Sequence, residues 1–263
     1  MLITERKFGI FKITKIYFVD RPVILDNPDF DMLFYHTYKN CDEIKGLEKK
    51  QCLTTTIDLR QDIDVIWNKI KKHRKQQIRR AKKNGITVKV SDNYKQFHQI
   101  YKKFLIQKNY LDPFGLNIYS SQFMQKYGIL FLAENHGEIL GGNLYFYDND
   151  NALSICSANL PFGDSLDKNK KISDSICYLH WEAIQYFKKL DVINFDLGGL
   201  QTNVKTITPE IDGLDFYKRS FGGDVIYQYE YRKFNTHLNN LLFHIWNNLI
   251  QPKKSFWALL KQT

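Results

Sequence analysis

Apolar positions in the first sixty residues recur with a short period. In residues 7–25 (KFGIFKITKIYFVDRPVIL), Phe, Ile, Val and Tyr alternate in part with polar residues, which predicts two short strands broken near Asp20-Arg21-Pro22. Residues 26–52 are polar and aromatic without a clear period, with a short helix expected over 29–38, and residues 54–59 (TTTIDL) read as a strand. The period then lengthens. Ile63, Ile66, Trp67, Ile70, Ile78 and Ala81 share one face of a helix expected over 62–83, stopped by Asn84-Gly85, and residues 86–90 alternate as a strand.

The second half is more regular. Residues 93–109 predict a helix with Phe97, Ile100, Tyr101 and Phe104 on one side, and residues 120–127 a shorter one. Three antiparallel strands follow at 129–134, 139–147 and 152–158, the first two joined by the hairpin signal Asn135-His136-Gly137-Glu138. A helix over 173–190, a strand over 192–197, a one-turn helix at 214–219, a strand over 225–231 and a helical tail from Asn235 complete the order. There is no internal repeat or low-complexity segment.

Composition narrows the class. The 263 residues are 43% hydrophobic and 15% aromatic with few Pro and Gly, which predicts a folded globular protein and argues against disorder. No apolar run reaches the ~18 residues of a membrane span, and the first residues lack the apolar core of a secretory signal, so the expected location is cytoplasmic. Cys41, Cys52, Cys156 and Cys177 form no Cys-x-x-Cys pair and no metal-ligand spacing; Cys156 and Cys177 read as buried free thiols, and no metal is expected. The net charge of +10 gathers at 69–83, 168–171 and 253–261, which points to an anionic partner: a nucleotide, a tRNA, an anionic lipid or a wall precursor.

The most informative stretch is residues 195–223, FDLGGLQTNVKTITPEIDGLDFYKRSFGG. An apolar strand ends in Asp196 and the pair Gly198-Gly199, whose backbone admits a close approach. A polar loop and a short helix carrying Tyr217 and Lys218 follow, and Gly222 suits the left-handed residue that ends a helix. One carboxylate and one ammonium are thereby aimed at the mouth of a sheet. The order Phe195-Asp196-Leu197-Gly198-Gly199, Phe216-Tyr217-Lys218, Phe221-Gly222-Gly223 resembles the end of the catalytic domain in Fem-type peptidoglycan aminoacyltransferases and the related acetyltransferases of the GNAT superfamily. Upstream, residues 74–88 (RKQQIRRAKKNGITV) resemble the basic helix that leads into that domain in the same enzymes, so the resemblance brackets residues 70–231.

The resemblance implies a GNAT-like mixed sheet flanked by helices (residues 61–234), a reduced N-terminal lobe (residues 1–60) and a basic amphipathic tail (residues 235–263). It implies acyl transfer to an amine, with Asp196 as base or amine-orienting group, Lys218 stabilising charge on the carbonyl and Tyr217 as acid for the leaving group. In such enzymes a helix N-terminus holds the donor's pyrophosphate. The corresponding residues here are 167–174, with Lys170, Lys171, Ser173 as N-cap, and Asp174. Arg74 and Arg79 on the basic helix, with Gly198 and Gly199, are the substrate-binding candidates, whereas Phe216 and Phe221 read as core. His73, His98, His136 and His180 are scattered, His180 reading as packing, and no Ser-His-Asp set, P-loop or dinucleotide fingerprint occurs.

The expected function is transfer from acyl-CoA, as co-substrate, to a primary amine of an amino sugar, amino acid or cell-wall-type precursor, free or lipid-linked. The chain lacks the helical-arm insertion with which many Fem-type enzymes embrace tRNA, which favours acyl-CoA. Two alternatives stay open: an aminoacyl-tRNA-dependent peptidoglycan aminoacyltransferase, and a non-catalytic module binding anionic lipid or nucleic acid. Beyond an apolar stripe from Leu238 to Ile250, the segment after Pro252 mixes Lys253, Lys254, Phe256, Trp257, Leu259, Leu260 and Lys261, and suits peripheral contact with an anionic membrane at its inner face.

Overall fold

A computed structural model of the chain describes residues 1–8, 11–23, 29–108, 119–200, 209–236 and 241. Their elements, in chain order, are β1 (Leu2–Phe8), β2 (Phe11–Tyr17), β3 (Met32–Thr37), β4 (Glu48–Asp58), α1 (Ile63–Lys69), α2 (Lys72–Lys83), β5 (Thr87–Ser91), α3 (Tyr94–Gln107), α4 (Ser121–Tyr127), β6 (Ile129–Asn135), β7 (Glu138–Tyr147), β8 (Asn151–Asn159), α5 (Leu166–Lys189), β9 (Asn194–Leu200), α6 (Pro209–Arg219) and β10 (Asp224–Phe234). The strands form one mixed sheet in the order β1-β2-β3-β10-β4-β9-β8-β7-β6-β5. This is the mixed α/β sheet flanked by helices that the sequence resemblance implied.

Its centre is buried on both faces, and the sequence shows why. From Ile139 to Phe146, β7 is apolar or small at nearly every position rather than alternating, and all eight residues are buried. One face packs on α1, α2 and α5 through Ile66, Ile78, Leu179, Phe187, Phe195 and Leu197. The other packs on α3 and α4 through Phe97, Met124, Leu144 and Leu153. Each large apolar side chain so buried contributes roughly 1.5–3 kcal/mol. The β6–β7 hairpin turns on His136 and Gly137, both at positive φ (50° and 81°), as a type I′ turn requires.

Residues 1–60 do not stand apart. β4 lies between β10 and β9 and pairs antiparallel with both, so the sheet runs without interruption across the boundary expected near residue 60.

Three local expectations are corrected. Residues 29–38, expected to be helical, contain β3, where Leu33 and Tyr35 are buried beside Tyr229 and Tyr231; pairing with β2 and β10 overrides the weak local pattern. The helix expected over 62–83 breaks at Ile70, whose ψ of 132° is extended, and Lys71 N–H donates instead to the Ser220 carbonyl (3.0 Å). A tertiary hydrogen bond breaks it, with no Gly or Pro to announce the break. The long helix begins at Leu166 rather than Ser173, because Ser165 accepts from Lys168 N–H as its N-cap. Residues 201–208, 237–240 and 242–263, including the stripe and the basic end beyond Pro252, lie outside the described residues.

Candidate active site

The sheet opens where β8 meets β9. These parallel neighbours pair only at Asn151–Asn194, Ala152–Phe195 and Leu153–Asp196. Just beyond, β8 carries a bulge: Leu144 faces Cys156 while Tyr145 faces Ser154, leaving Ile155 as the extra residue. The bulge bends β8 away, while β9 stays on β4 as far as Leu200. No ladder pair joins the two strands beyond Leu153 and Asp196, although the Ser154 carbonyl stays near Gly198, 3.3 Å from where its Cβ would be. Backbone groups there lose each other as ladder partners.

Asp196 is the last paired residue at the apex. Its carboxylate is fully buried and accepts from Thr54 Oγ1 (2.5 Å), Gly198 N–H (2.7 Å) and Tyr38 OH (2.8 Å). Gly198 at φ 88° turns the backbone so that its N–H returns to Oδ1. Capping and orientation are therefore the same interaction. Two of the donors come from the first sixty residues, which thus build the wall of this site.

Lys218 reaches the same point from α6. Its ammonium donates to the Gly199 carbonyl (2.6 Å), and Nζ would stand 3.6 Å from a Cβ placed on Gly198. Burial lowers the Lys218 pKa from its ordinary value, and the Asp196 and Asp215 carboxylates oppose that shift. The structure brings Asp196 and Lys218 together around Gly198-Gly199 at the mouth of the split.

The terminal glycines fix where α6 sits. A Cβ on Gly222 would lie 2.5 Å from the Lys69 carbonyl oxygen, and one on Gly223 2.5 Å from that of Thr56. Gly222 also has φ 78°, the left-handed end of α6 that the sequence predicted. Arg74 Nε donates to Ser220 Oγ (2.7 Å) beside the Lys71–Ser220 backbone bond. The two sequence signatures, far apart in the chain, dock on each other.

On the α5 side lies a buried polar row. Asn143 donates to Ser154 Oγ (3.0 Å), and the His180 Nδ1 lies 2.9 Å from Tyr145 OH and 3.4 Å from Asn143 Nδ2. Both neighbours serve as donors, so Nδ1 holds the lone pair and the ring is neutral. Burial, with the positive charges of Lys218 and Arg74, lowers the His180 pKa to about 3. His180 is packed, as expected, and also hydrogen-bonded. The Tyr217 hydroxyl is buried beside the Cys177 thiol, and burial raises its pKa well above the ordinary value, so it stays protonated. Its ring lies under the Arg74 guanidinium (4.4 Å) and beside His180.

Other predicted site residues are placed elsewhere. Lys170, Lys171, Ser173 and Asp174 lie within α5 rather than at its N-terminus. Lys170 is exposed, Lys171 pairs with Asp167 (3.0 Å), and Ser173 accepts from Gln77 Nε2 (3.3 Å). Asp174 is fully buried in a two-pronged ion pair with Arg80, which commits its carboxylate to holding α2 on α5. Arg74 is engaged by Ser220, by Gln77 (2.6 Å) and by the Tyr217 ring, and Arg79 is exposed over Trp67 (5.6 Å). Phe216, expected in the core, is 48% exposed and stacks on His73, while Phe221 is buried. Cys156 and Cys177 are buried free thiols, as expected. Among the described residues no group of three or more His, Cys, Asp or Glu is placed to hold a metal ion, and no helix is long and apolar enough to cross a membrane.

Tyr38, Thr54, Asn143 and Ser154 escaped the sequence reading. None belongs to a local motif; each acquires its partner only when strands pair, Tyr38 and Thr54 with β9 far along the chain, Asn143 and Ser154 across the adjacent β7 and β8.

No protein-family model matches the sequence, and no curated protein does. Solved structures do. FemX is similar over 92% of this chain and 85% of that chain, with a TM-score of 0.60 at 12% identity. L-PGS from Bacillus licheniformis is similar over 94% of this chain and 85% of that chain (TM-score 0.55, 13% identity). The C-terminal domain (DUF2156) of an Agrobacterium fabrum protein described as a lysylphosphatidylglycerol synthetase is similar over 92% and 83% (TM-score 0.55, 13% identity). The chain has the fold that its Fem-type and GNAT-like sequence signatures implied.

Proposed function

We propose that the protein is an N-acyltransferase that moves an acyl group from acyl-CoA to a primary amine of an amino sugar, amino acid or cell-wall-type precursor. The observation that carries this reading is the split between β8 and β9 with Lys218 and Asp196 at its mouth. The donor's extended arm lies between the diverging strands, where backbone groups take up its amides. The acyl carbonyl stands before Lys218, whose half-buried ammonium stabilises the negative charge that grows on oxygen as the amine attacks. Asp196, its carboxylate fixed by three donors, orients the amine through the remaining capacity of Oδ2. Tyr217, kept protonated by burial, supplies a proton to the leaving thiolate.

A second reading, transfer from aminoacyl-tRNA, is favoured by one observation. Lys72, Arg79, Lys82 and Lys83 of α2 and Lys170 of the adjoining α5 are exposed, a basic surface suited to phosphates. The likeness to a protein described as a lysylphosphatidylglycerol synthetase supports a lipid-linked acceptor, and the basic and bulky apolar residues of 252–263 suit peripheral contact with an anionic membrane. Thermal-shift titration of the full chain with acetyl-CoA, longer acyl-CoAs and aminoacylated tRNA tests the donor. A specific donor at a hundred times its Kd stabilises the fold by about 2.7 kcal/mol. Stabilisation by none of them, with retained binding to anionic vesicles or nucleic acid, would leave the non-catalytic module.

A further inference from the structure

Strand alternation puts Asp196 on the face of the sheet opposite Phe195 and Leu197, away from α5. Its partner Tyr38 packs there, against Phe18 and the cluster under α3 and α4. Next to Tyr38 stands His36, from β3. His36 Nε2 lies 2.9 Å from Gln228 Oε1. A carboxamide oxygen only accepts, so Nε2 carries the proton and Nδ1 presents a lone pair. That Nδ1 is buried and has no partner among the described residues.

Its surroundings are those of an ammonium site. The rings of Tyr17, Phe18 and Tyr38 stand 5.8, 5.9 and 5.0 Å from the imidazole, and Tyr38 OH ends on Asp196 Oδ2. Phe18 holds φ 61°, a conformation that bulky residues avoid and that gathers at functional positions. Gln228 ties this group to the reaction centre. Its Nε2 would stand 3.1 Å from a Cβ on Gly199, whose carbonyl holds Lys218. The charged and titratable groups around His36 are Asp196, Glu230 and Lys15, with the phenols of Tyr17 and Tyr38. Burial lowers the His36 pKa, and the two carboxylates oppose it.

We propose that this cluster receives the acceptor ammonium, with Asp196 Oδ2 orienting it and His36 Nδ1 as the base that takes its proton. The inference rests on the acyl-transfer reading for its chemistry. The acceptor R–NH3⁺ gives a proton to Nδ1, leaving R–NH2 and an imidazolium whose Nε2–H stays on Gln228. The amine lone pair attacks the donor carbonyl, a C–N bond forms, and the carbonyl electron pair moves to oxygen before Lys218. Collapse breaks the bond to the leaving thiolate, which takes the Tyr217 hydroxyl proton, while the second nitrogen proton restores Tyr217. His36 returns its proton to solvent.

The test uses the full chain labelled with ¹⁵N-histidine. Ethylamine and glucosamine serve as primary-amine probes, and tetramethylammonium as a cation without a transferable proton. Both amines are expected to move the His36 Nδ1 resonance toward its protonated position and to leave His180 unmoved; tetramethylammonium is expected to leave Nδ1 unshifted. A His36 Nδ1 that neither amine moves at any pH around neutrality overturns the proposal. His36→Asn keeps an acceptor near Nδ1 without a base and should hold the amine KM within about twofold while kcat falls about 10²-fold. His36→Phe should lose amine binding as well. An unchanged kcat in His36→Asn also overturns the proposal. Amine binding at His36 without turnover from any acyl donor would sink the acyl-transfer reading alone; turnover with His36 silent would sink this inference alone.

Discussion

His180→Asn tests how much of the protein's acid sensitivity resides in one buried ring. The folded chain holds His180 at a pKa of about 3 against 6.5 for an ordinary histidine, with burial as the largest cause. Below pH 6.5 the unfolded chain takes up a proton that the folded chain refuses until about pH 3. The fold therefore loses stability as pH falls through that window, and His180 has no such effect above it. At about 1.36 kcal/mol per unit, the loss reaches about 2 kcal/mol at pH 5 and about 4 kcal/mol at pH 3. Asparagine does not titrate, and its oxygen can still accept from Tyr145 OH, which now meets Nδ1 at 2.9 Å. Urea unfolding of both proteins at about pH 7.5 and about pH 5 gives two differences in unfolding free energy. Taking the difference within each protein removes the fixed cost of the substitution. The fall on acidification should be about 2 kcal/mol smaller in the variant. An equal fall in both would mean that the ring is charged in the folded state, and the neutral, donor-fixed His180 described above would be wrong.

Lys218→Ala should lower turnover at least tenfold, about 1.4 kcal/mol of barrier, with little change in Tm; retained turnover would remove Lys218 from the chemistry. Gly222→Ala forces a side chain into a left-handed conformation at φ 78° and against the Lys69 carbonyl. It should cost about 2–4 kcal/mol in urea unfolding, and a cost below about 0.5 kcal/mol would show that the α6–α1 contact is looser than described. A chain beginning at Asp58 loses β4 from between β9 and β10 and should show no cooperative thermal transition by near-UV circular dichroism. A soluble, cooperatively folded and active fragment would refute that.

The sequence revealed most where one element governs itself. The β6–β7 hairpin, the apolar run of β7 and the helix stop at Gly222 were legible because turn chemistry and local period decide them. Asp196 and Lys218 were legible because a motif ties them to the ends of elements close in the chain, and their meeting at Gly198-Gly199 follows. The failures share one cause. β3 is a strand because β2 and β10 flank it, α1 ends because Ser220 takes the Lys71 N–H, and the long helix starts early because a preceding loop supplies Ser165 as cap. Tyr38, His36 and Gln228 have no local signature, since each gains its role from a partner on another strand.

The insertion of β4 between the two final strands has a consequence for how the protein comes into being. Thr54 and Asp196 are 142 residues apart, and Tyr38 and Asp196 are 158 apart. β4 leaves the ribosome early, yet both of its hydrogen-bonding edges belong to strands made last. Closing such loops is entropically expensive and makes folding slow. While the chain is being made, β4 is an unpaired ribbon, and its upstream half is lined with charge: Glu48, Lys49 and Lys50 discourage pairing with a stranger. The carboxylate, its clamp of hydroxyls and the lysine can meet only when β9 and β10 have closed on both sides of β4. Competence for chemistry and completion of the fold should therefore arrive in a single late event, with no half-built intermediate able to bind the acceptor.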